Sequence, residues 1–92
     1  MYYFYIIQSL KNKKLYIGQT TDLKKRLNEH NSGKNLSTKP YIPYEIIFYS
    51  GFKNKVDCIS CEKYFKTTAG WKRIKKMLQN TLEKESYFIP TA

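Results

Sequence analysis

YYFYIIQSLKNKKLYIGQTTDLKKRLNEHNSG, residues 2–33, reads as a β-hairpin followed by one helix. Residues 2–9 are aromatic or β-branched on both faces, as a central strand requires. Leu10 to Lys14 gathers lysine and asparagine into a hairpin turn. Residues 14–18 form a short partner strand that ends at Gly18. Thr20 or Thr21 can cap a helix from about Asp22 to Asn31, and Ser32-Gly33 stops it.

Outward from this unit, residues 33–43 form a basic, polar loop containing Lys34, Lys39, Pro40 and Pro43. Residues 44–50, YEIIFYS, read as a third strand, and Gly51 to Lys55 turns the chain. Two helices follow, over about 55–67 and 70–84, separated near Thr67-Thr68-Ala69-Gly70. No repeat, low-complexity tract or linker interrupts the order. The expected fold is a single α+β domain over 1–92. It has a small three-stranded, mostly antiparallel sheet flanked by helices, in the order β-β-α-β-α-α.

Ninety-two residues lie near the lower limit for a self-sufficient core, but nine tyrosines and five phenylalanines supply much apolar area. The apolar N-terminus is too short and strand-like for a signal peptide. No apolar run approaches a membrane span, so a cytoplasmic protein is expected. Cys58 and Cys61 are spaced C-x-x-C, yet a structural zinc site needs about four ligands. The one histidine, His30, and no second cysteine pair cannot complete it. The pair reads instead as two small buried residues one helical turn apart. Lys plus Arg is 17 against 7 Asp plus Glu, a net charge of +10. Such an excess favours a polyanionic partner, and nucleic acid is the commonest. A membrane surface ranks below it, because no segment pairs a long apolar face with a basic one.

A helical wheel places the candidate side chains. From Leu23, at about 100° per residue, Leu27 falls near 40°, His30 near 340° and Arg26 near 300°. Arg26 and His30 thus border the apolar stripe and face the sheet, while Lys24 and Lys25 face solvent. The bland alternatives are a solvated arginine and a partly buried structural histidine. From Cys58, Glu62 falls near 40°, Phe65 near 340° and Cys61 near 300°, so Glu62 interrupts an apolar stripe. A carboxylate there needs a positive partner. That partner could be a metal ion, Arg26 or Lys66, the last as a plain helix pair. Asp22 and Asp57 fall in first helical turns, Glu83 and Glu85 sit near the C-terminus, and Glu29 and Glu45 have no acidic neighbour. A two-metal centre is therefore not expected. One carboxylate with water and substrate phosphate would suit Mg²⁺. Trp71, Ile74, Leu78 and Leu82 read as core, and Lys72, Arg73, Lys75 and Lys76 as a solvated face able to track phosphates.

These residues resemble the GIY-YIG nuclease superfamily, specifically its small single-domain bacterial members related to the excision-repair nuclease domain. Tyr3-Phe4-Tyr5 stands where that family has its first triplet, and Tyr16-Ile17-Gly18 matches the second literally. Leu23, Arg26, His30 and Gly33 follow the family's spacing. Glu62 falls at its metal-binding glutamate, and Lys66–Lys76, KTTAGWKRIKK, is typical of small members. Two positions depart from the pattern. Tyr3 stands in place of a glycine, and Gln19 stands where some relatives carry a lysine beside the catalytic tyrosine. If that lysine helps ionise the phenol, activity here is lower. Asn80 is the nearest counterpart to the family's late asparagine.

The resemblance implies a metal-dependent DNA endonuclease serving repair or processing, a monomer or weak dimer with Mg²⁺ or Mn²⁺ as cofactor. Glu62 would hold the ion, and Tyr16 would be the general base or position the attacking water. That role is demanding, because an unperturbed phenol with a pKa near 10 is only about one part in a thousand ionised at pH 7. Arg26 would neutralise transition-state charge. Tyr5 and His30 would orient Tyr16 and the water, and His30 could shuttle a proton. Lys34, Lys39, Lys66, Lys72 and Lys76 are the candidate nucleic-acid contacts. The competing expectation is a binding module that keeps the scaffold without the chemistry. A small protein-interaction module rests on charge alone.

Overall fold

The computed structural model describes residues 1–83. Strand β1 (Tyr2–Ser9) is central, flanked by β2 (Leu15–Thr20) and β3 (Tyr44–Phe52), all antiparallel, in the order β2-β1-β3. Helix α1 (Leu23–Asn31) lies between β2 and β3 in sequence. Helices α2 (Lys55–Phe65), α3 (Thr68–Met77) and α4 (Gln79–Glu83) follow β3. The α+β class and the three-stranded antiparallel sheet are as expected from the sequence.

Strand alternation sends the apolar residues of β1 into two separate cores. Phe4 and Ile6 join Leu15 and Ile17 against Cys58, Phe65, Trp71, Ile74 and Leu82 from α2, α3 and α4. Tyr5 and Ile7 join Tyr44 on the other face, where Leu23 and Leu27 of α1 pack beside Tyr16. A central strand covered on both faces explains why residues 2–9 show no polar alternation.

Helix α1 is pinned at both ends. Asp22, rather than Thr20 or Thr21, is its N-cap, and its carboxylate accepts the Lys25 amide at 3.0 Å. Thr20 instead accepts the Asp22 amide at 3.1 Å and sets up the cap. At the other end Gly33 adopts a left-handed φ of 81°. The Gly33 amide then donates to His30 and the Lys34 amide to Glu29, which closes a Schellman motif. The Asn31 side chain exchanges two hydrogen bonds with the Tyr44 backbone, at 2.7 and 3.0 Å, and ties α1 to the start of β3.

Element boundaries differ from the sequence reading at several points, and α2 ends at Phe65 rather than at 67. β2 runs on to Thr20, and β3 runs through Gly51 to Phe52, because β1 offers partners as far as Tyr2 and Tyr3. The helix expected over 70–84 begins at Thr68, capped by the Thr67 hydroxyl accepting from the Gly70 amide at 3.1 Å. It also breaks at Leu78, and Leu82 beyond the break is buried in the larger core. No proline or glycine marks that break, so periodicity alone joined the two pieces. Residue 84 of the expected helix, and Glu85, lie outside the described residues.

Candidate active site

Tyr5 lies opposite Gly18 in the β1–β2 ladder, and its ring leans over that glycine. A Cβ at position 18 would stand 2.6 Å from the Tyr5 hydroxyl. The bare glycine is therefore what lets the phenol lie across β2 toward α1. There the Arg26 Nε donates to the Tyr5 oxygen at 3.2 Å, and His30 Nε2 meets the same hydroxyl at 3.0 Å. His30 is fully buried, and its Nδ1 meets the Thr38 hydroxyl at 2.9 Å. The Tyr16 ring stands edge-on to the imidazole with centroids 5.1 Å apart. Arg26 also donates from Nη1 to Glu29 at 3.1 Å, a partner one turn along that the sequence reading set aside. About a third of each side chain in that pair is exposed, so the guanidinium is anchored yet open to solvent.

Burial pushes the Tyr5 phenol above its ordinary range, against the opposing pull of Arg26. It pushes the His30 imidazole down, with Arg26 acting in the same direction. Tyr5 hydrogen bonding is the main cause that raises Arg26. The trio is thus a buried neutral phenol, a buried neutral imidazole and a half-buried, firmly charged guanidinium.

Glu62 sits on α2, on the other face of the sheet. Only 16% of its side chain is exposed, as the wheel required of a residue between Cys58 and Phe65. Of the partners left open, the structure pairs it with Lys66, at 2.8 Å through Oε2. Oε1 accepts from Gln19 Nε2 at 2.9 Å. Gln19 faces α2 because its β2 neighbour Gly18 faces α1. Arg26 is not a direct partner; it binds Tyr5 and Glu29. Arg26 and Gln19, the partner of Glu62, both line an open cleft of about 500 Å³ at the β2–α1 turn, together with Thr20, Thr21, Asp22, Lys25 and Glu29. The candidate site therefore straddles the edge strand, with Tyr5, Tyr16, Arg26 and His30 on one side and Glu62 reached through Gln19 on the other.

The GIY-YIG catalytic domain model matches residues 1–77. The chain belongs to the GIY-YIG family. That membership places it in a nuclease superfamily. It is 42% identical over 87 residues to UPF0213 protein YsiG of Lactococcus lactis subsp. lactis, covering 94% of this chain and 83% of the relative. It is 39% identical to a UPF0213 protein of Lactococcus lactis subsp. cremoris, covering 94% and 88%. It is also 39% identical over 79 residues to uncharacterized protein L300 of Acanthamoeba polyphaga mimivirus, covering 78% of this chain and 43% of that one. No solved structure gives a significant match.

Within this GIY-YIG domain, no group of three or more His, Cys, Asp or Glu side chains stands together among the described residues. Glu62 is the one site carboxylate on the α2 side. Its donor chemistry fits a single Mg²⁺ or Mn²⁺, which takes one carboxylate oxygen together with water and phosphate. Lys66, 52% exposed, has room to move from Oε2. Cys58 is buried and Cys61 half-buried, and burial raises both thiols.

The candidate lysines do not lie on one face. Lys34 lines a cavity along α1 with Asp22, Lys25 and Asn28, and the stem of Lys39 covers Gly33. Lys66 is spent on Glu62, while Lys72 and Lys76 are exposed on α3 across the sheet. Asn80 is exposed on α4. Three contacts of the site had no local signal in the sequence. Gln19 and Glu62 are 43 positions apart, and Thr38 reaches His30 only because the loop folds back. Tyr49, 57% exposed, pairs with Tyr5 across β1–β3 and meets Tyr3 edge-on at 6.1 Å.

Proposed function

We propose that this protein is a metal-dependent endonuclease that hydrolyses DNA phosphodiesters at the edge of β2, in repair or processing. The observation that carries the reading is the hydrogen-bonded set Tyr5–Arg26–His30, which fixes a solvent-accessible guanidinium in the cleft shared with Gln19, the partner of Glu62. Net charge and the pair of half-buried Tyr3 with exposed Tyr49 beside Tyr5 support a nucleic-acid partner, since aromatic faces stack on bases and cations offset phosphates.

In this reading Glu62 and the substrate phosphate would hold one Mg²⁺ or Mn²⁺, which supplies Lewis-acid charge at the scissile group. Tyr16, acting as its phenolate, positions the attacking water and takes its proton as the water oxygen bonds to phosphorus. The P–O3′ bond breaks in the same displacement, and the leaving 3′ oxygen takes a proton from solvent. Arg26, rigid through Tyr5 and Glu29, meets the negative charge that builds on the phosphoryl oxygens. His30 holds the Tyr5 hydroxyl and packs the Tyr16 ring.

The test is cleavage of plasmid, branched and single-stranded DNA with Mg²⁺ or Mn²⁺ by wild type and Tyr16→Phe. The expected result is nicking that chelation stops. Tyr16→Phe should slow it by about 10²–10⁴-fold at unchanged DNA affinity, the usual loss for a general base. Equal rates would remove Tyr16 from the chemistry, and no cleavage of any substrate by wild type would remove the enzyme reading. A second reading, a binding module without cleavage, is favoured by one observation: both Glu62 oxygens are already satisfied within the chain. It requires salt-dependent DNA binding with no metal-dependent product.

A further inference from the structure

The hydrogen bonds around His30 form one chain with an obligate donor at one end and an obligate acceptor at the other. Arg26 Nε can only donate, so the Tyr5 oxygen is its acceptor. At the far end the Asn35 carbonyl can only accept, and it lies 3.3 Å from the Thr38 hydroxyl. Between them stand Tyr5 to His30 Nε2 at 3.0 Å and His30 Nδ1 to Thr38 at 2.9 Å. With Thr38 donating to Asn35, the Thr38 oxygen accepts from His30 Nδ1–H. The bare Nε2 then accepts the Tyr5 proton, and the Tyr5 lone pairs are left to Arg26. Every donor in the chain has an acceptor. The reverse direction would protonate Nε2 and give the Tyr5 oxygen two donors. Its own proton would then lack this acceptor, although Tyr5 is only 2% exposed. An unmet buried donor is costly, so the forward direction prevails.

We propose that Thr38 is a positioning residue of the site: it fixes the Nδ1–H tautomer of His30, and through His30 and Tyr5 it sets the orientation of Arg26. The proposal rests on the nuclease reading for its kinetic consequence alone; the tautomer assignment stands apart from it. The groups around the imidazole agree with a neutral ring. Tyr5, Tyr16 and Tyr44 surround it, and the charge of Arg26 opposes protonation more than Glu29 favours it. Partners that orient an imidazole through its second nitrogen have comparable effects elsewhere.

His30 is the sole histidine, so untagged, ¹⁵N-labelled protein reports it without assignment. The probe is the long-range ¹H–¹⁵N correlation of the ring at neutral pH in wild type, Thr38→Val and Thr38→Ser. Wild type and Thr38→Ser should show a protonated Nδ1 and a bare Nε2. Thr38→Val should move the proton toward Nε2. Its cleavage kcat should fall roughly 10–100-fold, as for other lost orienting partners, with KM unchanged and the serine variant restored. A wild-type ring protonated at Nε2 overturns the proposal, and that spectrum needs no folded variant. A Thr38→Val ring of unchanged tautomer also overturns it. So does a switched tautomer with undiminished kcat. If wild type cleaves nothing, the nuclease reading fails while the spectra still decide whether Thr38 sets His30.

Discussion

At Gly18 a missing side chain shapes the site. The Tyr5 ring occupies the space a Cβ would need, and it cannot retreat easily, because Arg26 and His30 hold its hydroxyl. Gly18→Ala is expected to cost about 1–3 kcal/mol, the usual range for overpacking. A urea midpoint unchanged from wild type would contradict this. His30 gives a second prediction at the same scale. Burial lowers its folded-state pKa below the ordinary imidazole value of about 6.5. The unfolded chain therefore binds the proton more readily. Stability is fully present above about 6.5 and declines as pH falls from there toward the folded value. The slope is at most about 1.4 kcal/mol per pH unit. Thermal melts between pH 7.5 and 5.5 should show this slope in wild type and lose it in His30→Asn. The same slope in both would contradict the assignment. Arg26 and His30 were legible in the sequence because helical period alone placed them beside Leu23 and Leu27. Thr38 was not, since a loop gives no periodicity from which to read direction.

Among the elements, the junction of α2 and α3 has the least room. A Cβ on Gly70 would run into the Tyr64 carbonyl oxygen and lie 2.5 Å from the Phe65 Cα, both backbone atoms that cannot rotate away. Gly70→Ala should destabilise the protein toward the upper end of about 1–3 kcal/mol, despite the ~1 kcal/mol that alanine gains in helix propensity. Denaturant melts check it, and a more stable variant would contradict the close crossing. The sequence located this junction through Thr67-Thr68-Ala69-Gly70 but began the helix at the glycine rather than at Thr68, two residues earlier. The strands were easier to read. Unbroken apolar character over residues 2–9 marked the central one, and β2 and β3 could only flank it. Their true ends depended on pairing with β1, which a single strand's composition does not reveal.

For the molecule as a whole, the sheet separates the site's two halves and the edge strand rejoins them. The α1 face carries Tyr5, Tyr16, Arg26 and His30, and the α2 face carries Glu62. The wheels identified both halves. They could not show that Gln19 is the direct neighbour of Glu62. No helix among the described residues is long and apolar enough to cross a membrane, and the basic excess remains available to a polyanion. The measurement that tests the central claim most directly is nicking of supercoiled plasmid in Mn²⁺ by wild type and Glu62→Ala, with DNA affinity measured in parallel. Cleavage by wild type, with at least a roughly 10²-fold loss in Glu62→Ala at similar affinity, is the predicted result, in line with removal of a group that stabilises transition-state charge. Equal cleavage by both proteins, or none by either, would contradict a catalytic site at the edge of β2.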